Sequence, residues 1–414
     1  MFKTKCSKYT VVLVEPCYYG LGFLEAVYSR GYNIISVVAS NDNPTKFGYE
    51  GKYTDLIVAD VRNPKAIIDA IESSKHKGTF DAIIPSNDYV TDITAKVAEH
   101  FDVRRMPYLA TLRTRRKDLA RIVYKENGVP SVKYGIANNL ESAQKIINDI
   151  GYPAVIKPSN CACSENVLLI NNEDDLKQAV KVMENFKVTM LDFVPHKDFL
   201  VEEFIKGPEF SVEIFINNGA LEFSSVTEKN KGDLPYFTEL VHVVPTSVHV
   251  DRVGDLINVA KQAVLALGFD NGAFHVEIIL SAKGPIIVEV NGRPGGDNIA
   301  TQLLPNAFGV NLFESLVDYY LGLPVKINPT KNLSSAVAYL AARQDGYLKS
   351  IDGIDDIKNI NNIVKYNIKT KPGDHVRIPK DSNDRLGYVI SVAKTPCEAK
   401  ESAIRAIESI KLNF

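Results

Sequence analysis

The residues best suited to chemistry lie on two neighbouring apolar runs, 274–280 and 285–291. These runs read as strands joined by a short turn, and a hairpin of this kind places Glu277 and Glu289 opposite one another. Asn291 falls on the same face as Glu289 because strand side chains alternate with a period of two. Three oxygen ligands are therefore expected to converge.

Two opposed carboxylates on apolar strands repel one another and are costly to bury, so a cation is expected between them. The predicted cation is Mg²⁺, for which Mn²⁺ can substitute, because Mg²⁺ binds hard oxygen ligands and completes its shell with water and phosphate. A lysine between the carboxylates is the alternative. Asn291 favours the metal, since a salt bridge does not need its neutral oxygen.

Cationic residues flank this set along the chain. Arg293 precedes Pro294-Gly295-Gly296, a stretch that can aim a guanidinium at a phosphoryl group or an oxyanion. Lys157 ends an apolar run and Lys117 lies further upstream; a lysine in so apolar a setting needs an anion, and phosphate suits it. Taken singly, Arg293 is a surface arginine and each lysine a snorkelling one. Beside the two glutamates and Asn291, they predict a nucleotide phosphate site.

Residues 201–205 read as an apolar edge strand with two outward-facing acidic positions, Glu202 and Glu203. Backbone groups of such a strand can pair with an adenine edge, and a nearby carboxylate can accept ribose hydroxyl groups. A plain amphipathic strand is the alternative.

Taken in order, these segments resemble the ATP-grasp superfamily and, within it, the bacterial L-amino acid ligases that make dipeptides. The resemblance covers about residues 110–297, and the Arg293-Pro294-Gly295-Gly296 segment and the overall length are most similar to arginine-preferring ligases of that kind. It implies an ATP-grasp fold behind an N-terminal Rossmann-like parallel domain. It also implies ATP-dependent joining of two L-amino acids through an acyl phosphate, with release of ADP and phosphate.

The resemblance also implies roles for individual residues. For ATP, the implied ligands are Lys117 and Lys157 at the phosphates, Glu202, Glu203, Phe204 and Ile205 at adenine, and Glu209 at ribose. Glu277, Glu289 and Asn291 would bind Mg²⁺, Arg293 would stabilise the acyl phosphate, and His242 would lie beside the amino-acid site. A lone histidine is also a common structural residue.

The phosphate lid departs from the family pattern. Family members carry a glycine-rich mobile loop after the position of Lys157, whereas residues 159–166 contain no glycine. We expect a stiffer lid, from which Ser164 and backbone N–H groups reach phosphate.

Asp297 lies just past Gly296, where the resembling ligases face the side chain of the first amino acid. A buried aspartate needs a cationic partner, and a guanidinium offers bidentate geometry, so arginine is predicted as the first amino acid, with lysine second. The alternative is that Asp297 caps a helix over 298–304. Other activities also stay open: another ATP-grasp carboxylate–amine ligase, a carboxylase subunit, or a non-catalytic nucleotide-binding regulator.

The elements that must position these residues are those of an α/β (α+β) protein of 414 residues. Short apolar runs separated by helical stretches predict a parallel N-terminal α/β domain over 1–110. A small lid domain with a linker helix is predicted over 111–200, and a C-terminal ATP-grasp domain with the metal site over 201–414.

Composition limits the partners and the compartment. The formal net charge of -2 gives no electrostatic attraction to nucleic acid or anionic lipid, and no apolar run is long enough to span a membrane. Five scattered cysteines fit a reducing compartment, so a cytoplasmic location is predicted. The expected partners are small-molecule amino acids, and a homodimer is compatible with the sequence without being predicted by it.

Overall fold

The computed structural model of the chain describes residues 8–162, 164–189, 192–232, 236–248 and 250–414. Cys163, part of the predicted lid, lies outside the described residues. Among the described residues, no helix combines the length and the apolar character that a membrane crossing requires.

The N-terminal part is a parallel sheet with helices on its faces, as the alternation of apolar runs predicts. Its four strands lie in the order β3-β2-β1-β4. Strands β1, β2 and β4 are buried almost throughout, which explains why they read as continuous apolar runs, whereas the edge strand β3 is partly exposed. The elements are β1 Thr10–Val14, α1 Leu21–Tyr28, β2 Asn33–Val38, α2 Asn43–Phe47, β3 Asp55–Val58, α3 Pro64–Glu72, β4 Ala82–Pro85, α4 Thr91–His100, α5 Tyr108–Arg115 and α6 Lys117–Glu126.

The second part is an antiparallel sheet of four strands in the order β5-β8-β6-β7, covered by two amphipathic helices. The elements are β5 Tyr134–Ala137, α7 Leu140–Ile150, β6 Ala154–Pro158, β7 Leu168–Ile170, α8 Glu173–Asn185 and β8 Phe199–Glu203. The prediction of an edge strand at 201–205 is wrong, because β5 pairs with β8 on the side away from β6. Strand β8 also continues across the predicted domain boundary at 200.

The third part is built on an eight-stranded sheet in the order β13-β12-β9-β10-β11-β14-β19-β17. Helix α9 packs against the apolar face of strands β9, β10, β12 and β13. Its elements up to residue 320 are β9 Glu209–Asn217, β10 Ala220–Lys231, β11 Glu239–Val244, α9 Val250–Leu267, β12 Gly272–Ser281, β13 Gly284–Asn291, α10 Leu304–Phe308 and α11 Leu312–Tyr320.

The C-terminal residues extend this same sheet. Strand β14 pairs with β11, and β19 pairs with β14, so the tail is hydrogen-bonded to the sheet that carries the predicted metal ligands. The remaining elements are β14 Ser334–Leu340, β15 Gly346–Tyr347, β16 Ser350–Asp352, β17 Ile363–Ile368, β18 His375–Val376, β19 Gly387–Ala393, α12 Pro396–Ser409 and β20 Lys411–Asn413.

Candidate active site

A cavity of about 670 Å³ lies where the three parts meet. Every residue predicted for the site lines it, with the exception of His242. Sequence reasoning did not assign a further set of lining residues from the N-terminal part, from strands β10 and β11 and from the C-terminal tail: Tyr19, Asp88, Tyr89, Lys231, Glu239, Tyr339, Lys369 and Arg385.

The hairpin β12–β13 has the register that the sequence predicts. Glu277 pairs with Glu289 and His275 with Asn291, so both glutamates and Asn291 lie at one end of the cavity, called here the phosphate end. In place of one lysine between the carboxylates there are two, one beside each carboxylate. Lys117 lies 2.9 Å from Glu289, and Lys229 lies 3.1 Å from Glu277.

The residues at the phosphate end fit a hard divalent cation such as Mg²⁺. Two carboxylates and a carboxamide oxygen are the donors that such a cation prefers, and Asn291 is buried beside them. Glu277, Glu289 and Asn291 would hold the ion. When bound, it would neutralise charge on the reacting phosphates.

Lys157 belongs to a buried ion-pair set on strands β6 and β8. Its Nζ lies 2.7 Å from Glu202, whose other oxygen accepts a 2.8 Å hydrogen bond from Arg121. Burial acts to raise the pKa of Glu202, but the two cations outweigh it and lower that pKa to about 2. Burial lowers the pKa of Lys157, so an anionic phosphate beside it would restore its preference for the charged form.

Glu202 therefore differs from its predicted orientation. The sequence pattern predicts an outward-facing acid, whereas its side chain is buried under Arg121 and Lys157 because β8 lies inside the sheet. Glu203 does reach outward, and it accepts a 2.7 Å hydrogen bond from the Lys133 N–H. Phe204 and Ile205 follow the end of β8 and line the cavity together with a set of apolar side chains: Val132, Val155, Val167, Ile279 and Val288.

Arg293 is held by residues of the N-terminal part. Its guanidinium donates a 3.2 Å hydrogen bond to Asp88 and lies over the Tyr19 ring at 4.7 Å from the centroid. Asp88 follows β4 in a short turn, at the carboxyl end of a parallel strand. Burial opposes the charge of Asp88, but Arg293 and Arg115 keep its pKa below the usual value. The parallel sheet thus contributes directly to the site.

The lid residues lie against the cavity beside the phosphate end. Ser164 lines the cavity with a backbone φ of 56°, in the left-handed region. Three hydrogen bonds tether the preceding segment: Lys117 Nζ to the Cys161 carbonyl at 2.6 Å, Arg115 to the Asn160 carbonyl at 2.8 Å, and the Ala162 N–H to the Tyr89 hydroxyl at 3.2 Å. These bonds are consistent with a stiff loop; the phosphate contact of Ser164 stays a prediction.

Lys229 joins three carboxylates beneath the cavity. Its side chain is 1% exposed, and its Nζ contacts Glu209 at 3.2 Å, Glu277 at 3.1 Å and Glu239. These carboxylates come from neighbouring strands β9, β12 and β11, while Lys229 lies on β10. Burial acts to lower the pKa of Lys229, and the three carboxylates raise it well above the usual value. Lys229 therefore stays charged and fixes the positions of all three.

Asp297 has a partner within the chain. Both of its oxygens accept hydrogen bonds from Arg385, at 2.6 and 2.8 Å, and its backbone carbonyl accepts one from the Tyr339 hydroxyl at 2.7 Å. The sequence prediction that Asp297 needs a cation from the substrate is therefore wrong in its premise. Asp297 is not a helix cap either, since Asn298 takes the N-cap position of the helical turn 299–303 without a side-chain hydrogen bond.

His242 does not contact the cavity, in contrast to its predicted place beside the amino-acid site. Its ring is fully buried, with Nε2 at 3.3 Å from Glu239 and 3.5 Å from Asp297. Burial acts to lower the pKa of His242, but the two carboxylates outweigh it and raise the pKa above the usual value. His242 thus supports the two carboxylates from below.

Glu239, His242 and Asp297 also form a cluster of metal-ligand type, with their ligand atoms within 4.8 Å of one another. Lys229 and Arg385 already bind its two carboxylates. Both oxygens of Asp297 are bonded to Arg385, which leaves the cluster short of free donor atoms, so we assign no metal to it. We call the surroundings of Glu239, Asp297 and Arg385 the C-terminal end of the cavity.

Comparisons with known proteins agree with this geometry. The ATP-grasp domain family matches residues 150–302, and the L-amino acid ligase C-terminal domain 2 matches residues 338–414. The fold is similar to the crystal structure of the L-amino acid ligase from Bacillus licheniformis, with a TM-score of 0.81, 18% identity and 99% of each chain covered. The chain contains an ATP-grasp domain.

Sequence relatives span more than one activity. A Sinorhizobium fredii protein named y4rH, of uncharacterised function, is 29% identical over 71% of this chain but only 60% of its own length. The formate-dependent phosphoribosylglycinamide formyltransferase of Sulfurisphaera tokodaii is 26% identical over 81% of the chain and 82% of its own length. The alanine–anticapsin ligase of Bacillus subtilis is 24% identical, covering 77% and 70%. The activity and the substrates of this chain thus have to be inferred from its own site.

Proposed function

We propose that the ligase joins the carboxylate of one L-amino acid to the amine of a second one, forming a dipeptide at the expense of ATP. The observation that carries this proposal is the juxtaposition, in one cavity, of the hairpin carboxylates with Lys117, Lys157 and Arg293. This set provides for phosphoryl transfer to an anionic oxygen. The C-terminal domain match and the relation to alanine–anticapsin ligase support amino acids as the substrates.

The chemistry we propose has two displacements. A carboxylate oxygen attacks the γ-phosphorus of ATP, the bond from that phosphorus to the bridging oxygen breaks, and ADP leaves. The amine then attacks the acyl carbon, the carbon–oxygen bond to phosphate breaks, and the nitrogen loses a proton. Lys117, Lys157 and Arg293 stabilise negative charge on the transferred phosphoryl group, and Arg293 also stabilises the oxyanion of the second step.

A covalent enzyme intermediate is not needed for this scheme. Cys161 lies in the cavity wall, but burial raises the pKa of its thiol to about 12, so the nucleophilic thiolate is not available near neutral pH. An acyl thioester on Cys161 is therefore not part of the proposed scheme.

The test is to incubate the ligase with ATP, Mg²⁺ and pairs of amino acids, and to measure nucleotide products, phosphate and dipeptide. ADP and phosphate in amounts equal to the dipeptide are the expected result. AMP and pyrophosphate would instead indicate adenylation and overturn the acyl-phosphate scheme.

A second candidate is a ligase that activates formate or bicarbonate, which the relation to the formate-dependent formyltransferase favours. Formate or bicarbonate in place of the first amino acid distinguishes the two. ADP formation that depends on formate or bicarbonate, and not on amino acids, would establish this alternative. A nucleotide-binding regulator would show neither, although it would bind ATP.

A further inference from the structure

The C-terminal end of the cavity already contains a bound guanidinium, and it belongs to the chain itself. Arg385 precedes strand β19 and reaches across to Asp297 with two hydrogen bonds, while its Nε donates a 2.8 Å bond to the Ser382 carbonyl. Its guanidinium lies 3.9 Å from the centroid of the Tyr339 ring. A protein recognises a guanidinium by a carboxylate that accepts two hydrogen bonds, by the face of an aromatic ring and by a carbonyl oxygen.

This pair stands next to the reacting centre. Asp297 follows Gly296, and a Cβ placed on Gly296 would lie 4.0 Å from Nη1 of Arg293. Both Asp297 and Arg385 line the cavity. A substrate whose carboxyl group is near Arg293 would therefore have its remaining atoms within reach of the pair.

The charges at this end are balanced within the protein. Each carboxylate there or beneath it has at least one cation in contact: Asp297 with Arg385, Glu239 with Lys229, Glu209 with Lys231, and Glu213 with His275. Lys369, at the cavity rim, makes no ion pair with any carboxylate among the described residues. An incoming ammonium or guanidinium side chain thus finds no carboxylate left for it, and additional positive charge beside it.

We propose that Arg385 determines specificity by occupying the position that a cationic substrate side chain would take, so that the ligase selects amino acids with neutral or acidic side chains. This inference rests on the proposed function, since it presumes that amino acids enter the cavity. It is opposite to the arginine preference that the sequence predicts. The reversal follows from Arg385, which supplies the bidentate partner of Asp297.

The first test compares amino acids in the wild-type ligase by phosphate release. Neutral amino acids are expected to exceed arginine and lysine in kcat/KM by roughly tenfold or more, because a cationic side chain meets an already neutralised carboxylate. Equal or better turnover of arginine would overturn the inference. Should no amino acid support ADP release, the proposed function itself fails.

The second test removes the internal guanidinium. Arg385→Ala exposes Asp297 and vacates the guanidinium position, so the ratio of arginine to neutral turnover is expected to rise by roughly tenfold or more. The double variant Asp297→Asn/Arg385→Ala lacks the carboxylate and is expected to show no rise. Arg377→Ala is the matched control, since Arg377 is half exposed, pairs with Asp384 and does not line the cavity.

A binding measurement makes the inference testable without turnover. Added ethylguanidinium is expected to raise the melting temperature of Arg385→Ala, and to leave that of the wild type and of the double variant unchanged. A folded Arg385→Ala protein that shows neither this stabilisation nor the change in specificity would overturn the inference. If Arg385→Ala does not fold, the wild-type ranking of amino acids decides.

Discussion

The phosphate end and the C-terminal end of the cavity both contain charged side chains but arrange them differently. At the phosphate end, Lys117 pairs with Glu289 across 2.9 Å, and each of the two has a different expected ligand, a phosphate for the lysine and a metal ion for the glutamate. At the C-terminal end, Asp297 and Arg385 satisfy each other with two hydrogen bonds. Ligands can replace the contact between Lys117 and Glu289, whereas the pair of Asp297 and Arg385 is a fixed element of the folded protein.

The comparison teaches that charge in an active site does not by itself indicate a ligand of opposite charge. What matters is whether the hydrogen-bonding capacity of a group is already used. Glu289 accepts a hydrogen bond from Lys117 through one oxygen, whereas both oxygens of Asp297 are bonded to the Arg385 guanidinium. Variants at the two ends should therefore fail in different ways, with function lost at the phosphate end and stability lost around the buried pairs.

The largest effect is expected for Glu289→Gln at the phosphate end. It retains size but removes charge from the expected metal site, so ATP turnover should fall by about 10³-fold. Circular dichroism and thermal melting should remain as in the wild type. Glu141→Gln, on an exposed helix, is the control. Turnover close to wild type at ordinary Mg²⁺ would refute the metal assignment.

The next effect is expected for Lys229→Met, below the cavity. Methionine fills a similar volume but leaves Glu209, Glu239 and Glu277 without their shared cation, which should lower the free energy of unfolding by about 3–4 kcal/mol. Urea denaturation measures it. Lys65→Met, which removes an exposed helix pair, should change stability by less than about 1 kcal/mol. Equal losses of stability in Lys229→Met and Lys65→Met would contradict the distinction between the buried and the exposed ion pairs.

Glu202→Gln probes a buried pair that adjoins the nucleotide region. The pKa of Glu202 is lowered to about 2, so its ion pairs stabilise the fold above pH 4.5 and lose that contribution as the pH falls from 4.5 to about 2. The variant should be less stable than the wild type by about 3 kcal/mol at neutral pH. The free energy of unfolding of both proteins should be measured between pH 4.5 and about 2, where the difference between them is expected to become smaller as the pH falls. A constant difference would mean that Glu202 does not titrate in this range.

The smallest effect is expected for Tyr339→Phe. It removes the hydroxyl that donates a hydrogen bond to the Asp297 carbonyl and accepts a longer one, of 3.3 Å, from the Asn298 side chain, at a cost of about 1 kcal/mol in stability. The matched control is Tyr388→Phe, because that neighbouring ring has no hydroxyl hydrogen bond among the described residues. A loss for Tyr388→Phe as large as for Tyr339→Phe would show that the hydroxyl bond to Asp297 is not the cause.

The phosphate end could be predicted from sequence because it is local. Glu277, Glu289 and Asn291 lie on two consecutive strands, where a period of two and a short turn determine which side chains meet. The parallel direction of the strands in the first sheet was likewise predicted from apolar runs along the chain. The ATP-grasp fold was predicted correctly from these and the neighbouring motifs.

The C-terminal end could not be predicted because its partners are distant in sequence. Arg385 lies 88 residues after Asp297, and only the pairing of β11, β14 and β19 brings them together. Lys229 was missed for a different reason. The polar and charged residues 228–231 read as the end of a strand. Strand β10 nevertheless continues to Lys231, because glutamates of the adjacent strands neutralise Lys229 and Lys231. Alternation of Lys229 and Lys231 was the one available signal.

The continuity of the eight-stranded sheet has a consequence for engineering. Strand β14 begins the segment that matches the ligase C-terminal domain, and it is hydrogen-bonded to β11, which carries Glu239. The strand pairing of the sheet is continuous between that segment and the strands of the active site. A chimera that exchanges residues 338–414 with a relative would therefore also exchange Arg385 and Tyr339. Such grafts would have to transfer the residue at position 297 along with the tail.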